Sequence, residues 1–191
     1  EYALVDAMMP ILSPAGVQEL LDYGIIGWAL SRYSGCWVGL KCMKDTIDAT
    51  ATVEVGLDRV QLELPDDFEL PADGLNIRWP DSPLAMEKRM VTYKMDAAKA
   101  FARKNKLDKV ILDSDKAKIG IVSSGKSYLD VRQALQYLGI NEQEANRLGL
   151  RLYKVAMTWP LEPEGLIEFS RGLEKIIVIE EKRSLLEDQI K

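Results

Sequence analysis

The chain has 191 residues, of which 47% are hydrophobic, and its 25 basic and 30 acidic side chains give a formal net charge of −5 at pH 7. This composition is typical of a globular chain that can bury a core, and it argues against the basic face that nucleic-acid binding requires. Crossing a bilayer takes roughly 20 apolar residues, whereas one of the longest apolar runs here, Ile25 to Leu30, has six. We therefore predict neither a nucleic-acid partner nor a membrane span.

Histidine is absent from the sequence. The chain therefore lacks the commonest metal ligand and the side chain that titrates near neutral pH. Its two cysteines, Cys36 and Cys42, are five residues apart, which is neither a zinc nor an iron–sulfur spacing, and two thiols cannot complete a tetrahedral site. We predict two reduced, buried thiols, no metal ligands and, since no signal peptide is visible, a cytoplasmic location.

The first predicted helix runs from Pro14 to about Tyr33. Ser13 followed by Pro14 is typical of an N-cap and a first helical residue, and Gly35 is a suitable C-terminal stop. Residues 36–43 then read as a strand, with a continuing helix as the alternative.

The next segment alternates apolar and polar residues in TATVEV and RVQLEL, on either side of residues 56–58. This pattern predicts a β-hairpin. Ser82 and Pro83 form a second helix start, and the longest helix is predicted from Pro83 to about Asn105.

The remaining residues alternate short apolar runs with helical patterns, which predicts a parallel sheet with helical crossovers. The predicted strands are 108–113, 119–122, 150–155 and 176–179. The predicted helices are 128–138, a short one capped by Asn141, and 163–172. The fold class expected is α/β, a three-layer sandwich with a mainly parallel sheet.

One motif in this region matches the phosphate-binding loop of nucleotide enzymes, because Gly120 to Ser127 reads G-x-x-x-x-G-K-S. In a true phosphate loop the first glycine ends the strand and the next four residues wrap the phosphate. Here Gly120 lies inside the apolar run, so Ile121 and Val122 are expected in the strand. A nucleotide-binding enzyme using Gly120–Ser127 is therefore the alternative and not the preferred function.

A weaker site is predicted at the same place, where a parallel strand ends and a helix begins. Free amides and the helix dipole at such a position favour an anion, and ligands of open α/β sheets bind at the carboxyl ends of strands. The candidate residues for an anion site or an interface are Ser123, Ser124, Gly125, Lys126, Ser127 and Tyr128. The competing interpretation, in which the serines only cap the helix and Lys126 is solvated, is preferred. A small-ligand regulatory α/β domain is a further alternative.

Five long runs carry a resemblance to a known family. They are GWALSRYSGCWVGLK (27–41), GLNIRWPD (74–81), GKSYLDVRQAL (125–135), RLYKVAMTWPLEPEG (151–165) and IIVIEEKRSLLE (176–187). In these runs the chain resembles the indolepyruvate ferredoxin oxidoreductases, in particular the long fused bacterial form, which are members of the 2-oxoacid:ferredoxin oxidoreductases. The resemblance extends from end to end of the chain.

The resemblance implies a parent enzyme that oxidatively decarboxylates aryl 2-oxoacids on thiamine diphosphate with magnesium. Iron–sulfur clusters would pass the electrons to ferredoxin, and coenzyme A would accept the acyl group. It also implies three segments: residues 1–55 as the C-terminal part of a thiamine diphosphate-binding-type (pyrimidine) domain, 56–114 as a connecting region, and 115–191 as a truncated transketolase C-terminal-like domain.

The family's diphosphate- and magnesium-binding motif and its cluster-binding cysteine motifs are absent from this sequence. No catalytic, cofactor-binding or metal-binding residue can therefore be carried over. Because position 1 is Glu and the last residues look like the start of a helix, we expect an internal, non-catalytic structural fragment. Its expected partners are the remaining domains of the parent chain and a second copy in a homodimer, with ferredoxin as the partner of the parent.

Overall fold

A computed structural model describes residues 1–56 and 58–191 and shows a mixed α/β fold. The helices are α1 (Tyr2–Asp6), α2 (Val17–Ser34), α3 (Lys44–Ile47), α4 (Pro83–Arg89), α5 (Met95–Lys104), α6 (Gly125–Tyr137), α7 (Glu142–Leu148), α8 (Pro163–Ser170) and α9 (Leu186–Ile190). The strands are β1 (Ile11–Leu12), β2 (Gly39–Leu40), β3 (Lys109–Leu112), β4 (Ile119–Ser124), β5 (Leu150–Val155), β6 (Met157–Trp159) and β7 (Lys175–Ile179). A π-helical segment, Met90–Lys94, joins α4 to α5.

The larger sheet has the strand order β3-β5-β4-β7. Strand β4 lies between β5 and β7 and is parallel to both, while β3 pairs antiparallel with β5 at the edge. Parallel pairing of β4, β5 and β7 follows the sequence prediction, since helices connect these strands. Strand β3 differs from the predicted parallel sheet, because it is antiparallel to β5. The apolar run of β3 predicts a strand but not its direction.

Apolar side chains cover both faces of this sheet. Alternate residues of a strand point to opposite faces, so Leu152 packs with residues of α6 and α7, whereas Tyr153 packs with residues of α8 and α9. Strands that are buried on both faces read as continuous apolar runs, as 150–155 does apart from Arg151 and Lys154.

A smaller sheet with the order β2-β1-β6 joins residues near the start of the chain to residues 157–159. Strand β1 is parallel to β2 and antiparallel to β6. Beside it, a buried apolar cluster combines Leu12 and Leu30 with Phe101 of α5 and Met157 of β6. The cluster therefore contains residues from each of the segments 1–55, 56–114 and 115–191.

Helix α2 begins later than the sequence predicts, at Val17, with Gly16 as its N-cap. The prediction of Ser13 as N-cap is wrong because Ser13 continues the β1–β6 pairing, its N–H donating to the carbonyl of Ala156 at 2.8 Å. The predicted stop is confirmed, since Gly35 is the C-cap with φ of +69°. The strand predicted over 36–43 shortens to Gly39–Leu40. Cys36 is buried as predicted, but the prediction is wrong for Cys42, which lies beyond the short strand and is exposed.

The predicted hairpin is wrong over the described residues 49–56 and 59–64, none of which lies in a strand, while Leu57 in its turn lies outside the described residues. Main-chain groups of this segment bond to helix side chains instead of to each other. Gln18 of α2 accepts from the N–H of Glu54 at 2.8 Å, and Asn105 bonds both the N–H and the C=O of Glu63 at 2.8 and 3.0 Å. The segment is thereby attached to α2 and to the end of α5.

The long helix starts as predicted, because the Ser82 hydroxyl accepts from the N–H of Ala85 at 3.3 Å and Pro83 is the first helical residue. It continues through the π-helical segment to Lys104. Among residues 1–56 and 58–191 we find no helix with the length and apolarity that a bilayer crossing requires.

Candidate functional site

The strand and helix around the predicted site leave no room for a loop. Strand β4 runs through Ser124, and α6 starts at the next residue, Gly125. Gly120 lies within β4, opposite Arg151 of β5 and Ile176 of β7. A Cβ added there would come within 2.5 Å of Leu173 and 2.7 Å of Phe169. Residues 121–124 are thus paired strand residues and cannot curl around a phosphate, so the arrangement is not that of a phosphate-binding loop.

The predicted site residues make internal contacts. The Ser123 hydroxyl is fully buried and donates to the carbonyl of Ile179 at 2.7 Å. Gly125 has φ of +50°, and a Cβ there would lie 2.5 Å from the Ser13 hydroxyl oxygen. Lys126 forms an ion pair with Asp130 one turn along α6, at 2.7 Å, and this hydrogen bond raises the pKa of Lys126.

The space facing this turn is about the size of one water molecule. A pocket of about 10 Å³ is bordered by Ser124, Lys126 and Ser127 on one side and by Glu180 and Glu181 on the other. The Glu180 carboxylate is used to cap α9, accepting from the N–H groups of residues 185 and 186 at 2.9 Å. An occupant larger than a water needs one of these side chains to move. The charged lining residues are the acids Glu1, Glu180 and Glu181 and the bases Lys41 and Lys126, so the pocket has no cationic character that would select an anion.

Tyr128, the last of the predicted residues, belongs to a buried polar cluster. Its ring lies 4.9 Å from the ammonium nitrogen of Lys154, and its hydroxyl accepts from Arg132 at 3.0 Å. Lys154 of β5 in turn pairs with Glu19 of α2, whose other oxygen accepts from the N–H of Ala15 at 2.7 Å. Burial lowers the pKa of Lys154 to about 8.

Sequence reasoning missed Lys154 and Glu19. The detectable feature is the lysine itself, since a charged residue inside the apolar strand LRLYKV requires a buried partner. Nothing in the local pattern identifies that partner, because Glu19 lies 135 residues away.

A cleft with a volume of about 790 Å³ lies elsewhere, between the end of α5, β3, β5 and the start of α8. Asp108 borders it. One carboxylate oxygen of Asp108 accepts from the N–H groups of Ala156 and Met157 at 2.7 and 3.2 Å, and the other is buried without a hydrogen-bond partner. Burial raises the pKa of Asp108 to about 7, so this carboxyl is part protonated near neutral pH.

A second buried acid, Glu162, borders the same cleft and caps α8. Its oxygens accept from the N–H groups of Glu164 and Gly165 at 3.0 and 2.8 Å, and Arg103 donates to it at 3.0 Å. The basic residues around the cleft are Arg103, Lys106, Lys109, Arg151 and Arg171. The acidic residues are Asp108, Asp113, Glu162, Glu164 and Glu168. The cleft therefore has no dominant sign of charge that would select a ligand.

The sequence analysis did not single out Asp108 or Glu162. Glu162 directly precedes the proline that begins α8, and a helix-capping position of this kind is detectable from sequence. Asp108 precedes strand β3, and its hydrogen-bond partners Ala156 and Met157 lie far along the chain. Among the residues that the structure describes, no three His, Cys, Asp or Glu side chains are grouped so that they could hold a metal ion.

Comparison with known families and proteins adds to this geometry. Residues 109–191 match the family model described as the indolepyruvate oxidoreductase domain. The indolepyruvate oxidoreductase subunit IorA of Methanothermobacter marburgensis is 27% identical over an alignment that covers 96% of this chain and 28% of the relative. The IorA subunit of Archaeoglobus fulgidus is 29% identical, with 92% of this chain and 26% of the relative covered. The chain thus spans little more than a quarter of the length of these relatives.

A solved structure has a similar fold. It is the 2-oxoglutarate:ferredoxin oxidoreductase from Magnetococcus marinus with 2-oxoglutarate, coenzyme A and succinyl-CoA bound. The TM-score is 0.59 at 17% identity, and the match covers 95% of this chain and 36% of that one. This match shows a shared fold. Residues 109–191 match the indolepyruvate oxidoreductase domain, and the resemblance of the chain to the indolepyruvate ferredoxin oxidoreductase family is confirmed.

Proposed function

We propose that this chain is a structural part of an indolepyruvate:ferredoxin oxidoreductase. The parent enzyme would oxidatively decarboxylate aryl 2-oxoacids to acyl-CoA and reduce ferredoxin, while residues 1–191 alone would be inactive. The observation that carries this proposal is the alignment with the IorA subunit of Methanothermobacter marburgensis. The alignment covers 96% of this chain but only 28% of the relative. It is supported by the internal use of the residues from Ser123 to Tyr128, which hold elements of the fold together.

The cofactors of the reaction would be held by other parts of the parent. These are thiamine diphosphate with magnesium, iron–sulfur clusters and coenzyme A as the acyl acceptor. The similar solved structure is named as a ferredoxin oxidoreductase and holds coenzyme A and succinyl-CoA, which supports the acyl acceptor and the electron acceptor. The protein would work in the cytoplasm as a homodimer, with ferredoxin as its redox partner.

We further propose the division into segments 1–55, 56–114 and 115–191. The last would be a truncated transketolase C-terminal-like domain with three layers, supported by the helices that pack on both faces of the β3-β5-β4-β7 sheet. The first would be the C-terminal part of a pyrimidine-type thiamine diphosphate-binding domain. The family match begins at residue 109, close to the proposed boundary at 115.

The proposed role of the Ser123–Tyr128 turn is contact with a neighbouring domain. Ser124 and Lys126 are its half-buried members, whereas Ser123 and Tyr128 are buried within the chain. A neighbour would therefore contact mainly the first turn of α6, where Lys126 and Asp130 form a surface ion pair.

The test compares the 191-residue chain with the complete parent protein. Iron and acid-labile sulfide are measured in both, and decarboxylation of indolepyruvate is followed with thiamine diphosphate, magnesium, coenzyme A and oxidised ferredoxin. We expect activity and iron in the parent and neither in the 191-residue chain. Turnover by the chain alone, or stoichiometric iron in it, would contradict the scaffold role. An inactive parent that contains iron would contradict the reaction and leave the family intact.

A further inference from the structure

An apolar groove lies on the side of the molecule away from the large sheet. It is formed by the end of α1, the segment after α2, and the junction of α4 with the π-helical segment, and its volume is about 380 Å³. Its apolar wall consists of Ala7, Met8, Met9, Trp37, Ile77, Met86 and Met90. The volume is within the range of small-molecule sites, and methionine side chains adapt to ligands of irregular shape.

A buried cation lies in the groove lining. Lys94 is 5% exposed, and its ammonium group donates to the carbonyl of Gly35 at 2.9 Å. In the part of the chain that the structure describes, Lys94 has no carboxylate partner within 4.0 Å. Burial lowers the pKa of Lys94, as expected for a charge that lacks a counter-charge. The helix C-terminus at Gly35 uses one of the three N–H donors of the ammonium group.

Arg89 adds a second cation to the same lining. Its terminal nitrogens are occupied, donating to Asp73 at 2.9 and 3.0 Å and to the carbonyl of Gly74. Its Nε is buried without a hydrogen-bond partner. This nitrogen is closed to solvent, so an acceptor in the groove cannot reach it, and Arg89 contributes to the groove through its positive charge.

Acidic side chains also border the groove, but they lie at its rim. Asp6 and Glu87 are exposed, and solvent and salt weaken their effect on a charge at the groove floor. Asp81 is already paired with Arg78 at 3.1 Å. The charge pattern is therefore a cationic floor, an apolar wall and an acidic, solvated rim.

We infer that this groove binds a small monocarboxylate with an apolar body about the size of one ring. The carboxylate would take the free donors of Lys94, and the body would pack against the methionines and Trp37, which is 75% exposed in the unliganded chain. The inference does not rest on the proposed function, because it uses only the groove and its charges.

The test titrates the 191-residue chain with phenylacetate and with two matched probes, neutral 2-phenylethanol and cationic phenethylamine. Calorimetry and tryptophan fluorescence are the readouts. We expect saturable binding of phenylacetate with Kd on the order of 0.1–1 mM, a value suited to a ligand of this size. Binding of the two other probes should be at least tenfold weaker. Equal binding of all three probes, or no saturable binding of phenylacetate, would overturn the inference.

Variants of Lys94 test the contribution of its charge to binding separately from the contribution of the apolar wall. Lys94→Gln should weaken phenylacetate at least tenfold and leave 2-phenylethanol within twofold, while Lys94→Arg should stay within a few-fold of the unmodified chain. Lys88→Gln, an exposed lysine of the same helix outside the groove, is the matched control and should change nothing. Unchanged phenylacetate binding in folded Lys94→Gln would contradict the role of this cation.

Methyl NMR of the unmodified chain keeps the test independent of how Lys94 variants fold. Phenylacetate should shift the methyl resonances of Met8, Met86 and Met90, which line the groove. It should not shift those of Met43 and Met157, which do not. Shifts confined to Met43 or Met157 would place the ligand elsewhere and refute the site.

Discussion

The ammonium nitrogen of Lys154 lies 4.9 Å from the centre of the Tyr128 ring, and the same group is paired with the carboxylate of Glu19. The contact links β5, α6 and α2, which are far apart along the chain. Lys154 is 6% exposed and Tyr128 is 8% exposed. Tyr128 therefore acts inside this chain, and the surface available to a neighbour at this point is the first turn of α6.

The Lys154–Glu19 pair is expected to be strongly coupled. A double-mutant cycle with Lys154→Met and Glu19→Gln should give a coupling energy of about 1–3 kcal/mol in urea unfolding, because the pair is largely removed from solvent. The exposed pair Arg147–Glu144 on α7 is the control, and its cycle should give a clearly weaker coupling, because solvent screens the two charges. Similar coupling in both cycles would show that burial adds nothing to the Lys154 contact.

Two neighbouring residues of α5 should differ in their effect on stability. Arg103→Met leaves the buried carboxylate of Glu162 without its cation, so we expect a loss of about 2 kcal/mol. The partners of Lys104, Glu63 and Asp66, are exposed, so Lys104→Met should lower stability clearly less than Arg103→Met. The urea midpoints of the two variants measure the difference, and equal midpoints would refute it.

Gly125 should tolerate alanine less well than Gly139. Both have positive φ, +50° and +70°, but Gly139 has open space around it, whereas a Cβ at Gly125 meets the Ser13 hydroxyl. We expect Gly139→Ala to cost about 1 kcal/mol and Gly125→Ala about 2–3 kcal/mol. The excess should shrink when Ser13→Ala is added, as thermal unfolding of the double variant can show. An undiminished excess would mean that the clash is not with Ser13.

Asp108 should make stability depend on pH. Its folded pKa of about 7 lies above the unfolded value near 3.8, so between these values the folded state holds more protons and stability falls as pH rises. Asp108→Asn, which still accepts from the N–H groups of Ala156 and Met157, should lack this decline and be about 1–3 kcal/mol more stable than the parent chain at pH 8.

The control for this measurement is Asp115→Asn, since Asp115 is exposed. That variant should follow the pH profile of the unmodified chain from pH 4 to pH 8. A profile of Asp108→Asn that also declines with rising pH would assign the effect to another group.

Nucleotides are not expected to bind at Gly120–Ser127. Because residues 121–124 are paired in the sheet, calorimetry with ATP and magnesium should show no saturable heat at micromolar concentrations. Lys126→Ala should be indistinguishable from the parent chain in this assay. Micromolar binding that Lys126→Ala abolishes would restore the phosphate-loop interpretation.

The sequence by itself determined the features that depend on near neighbours. Ser82 and Asn141 cap their helices and Gly35 ends α2, because a cap is made between residues three or four positions apart. The parallel strands β4, β5 and β7 follow from apolar runs that helices separate, and the family follows from long runs of residues.

Only the tertiary structure decided which residues far apart in sequence form hydrogen bonds and ion pairs with each other. Residues 49–64 alternate like a hairpin, yet their main chain bonds to Gln18 and Asn105, and Ser13 joins Ala156 instead of starting α2. The Glu19 partner of Lys154 and the groove around Lys94 likewise combine segments far apart in sequence. Local pattern cannot specify such contacts, because the free energy of a hydrogen bond or a buried charge depends on which partner the fold brings within reach.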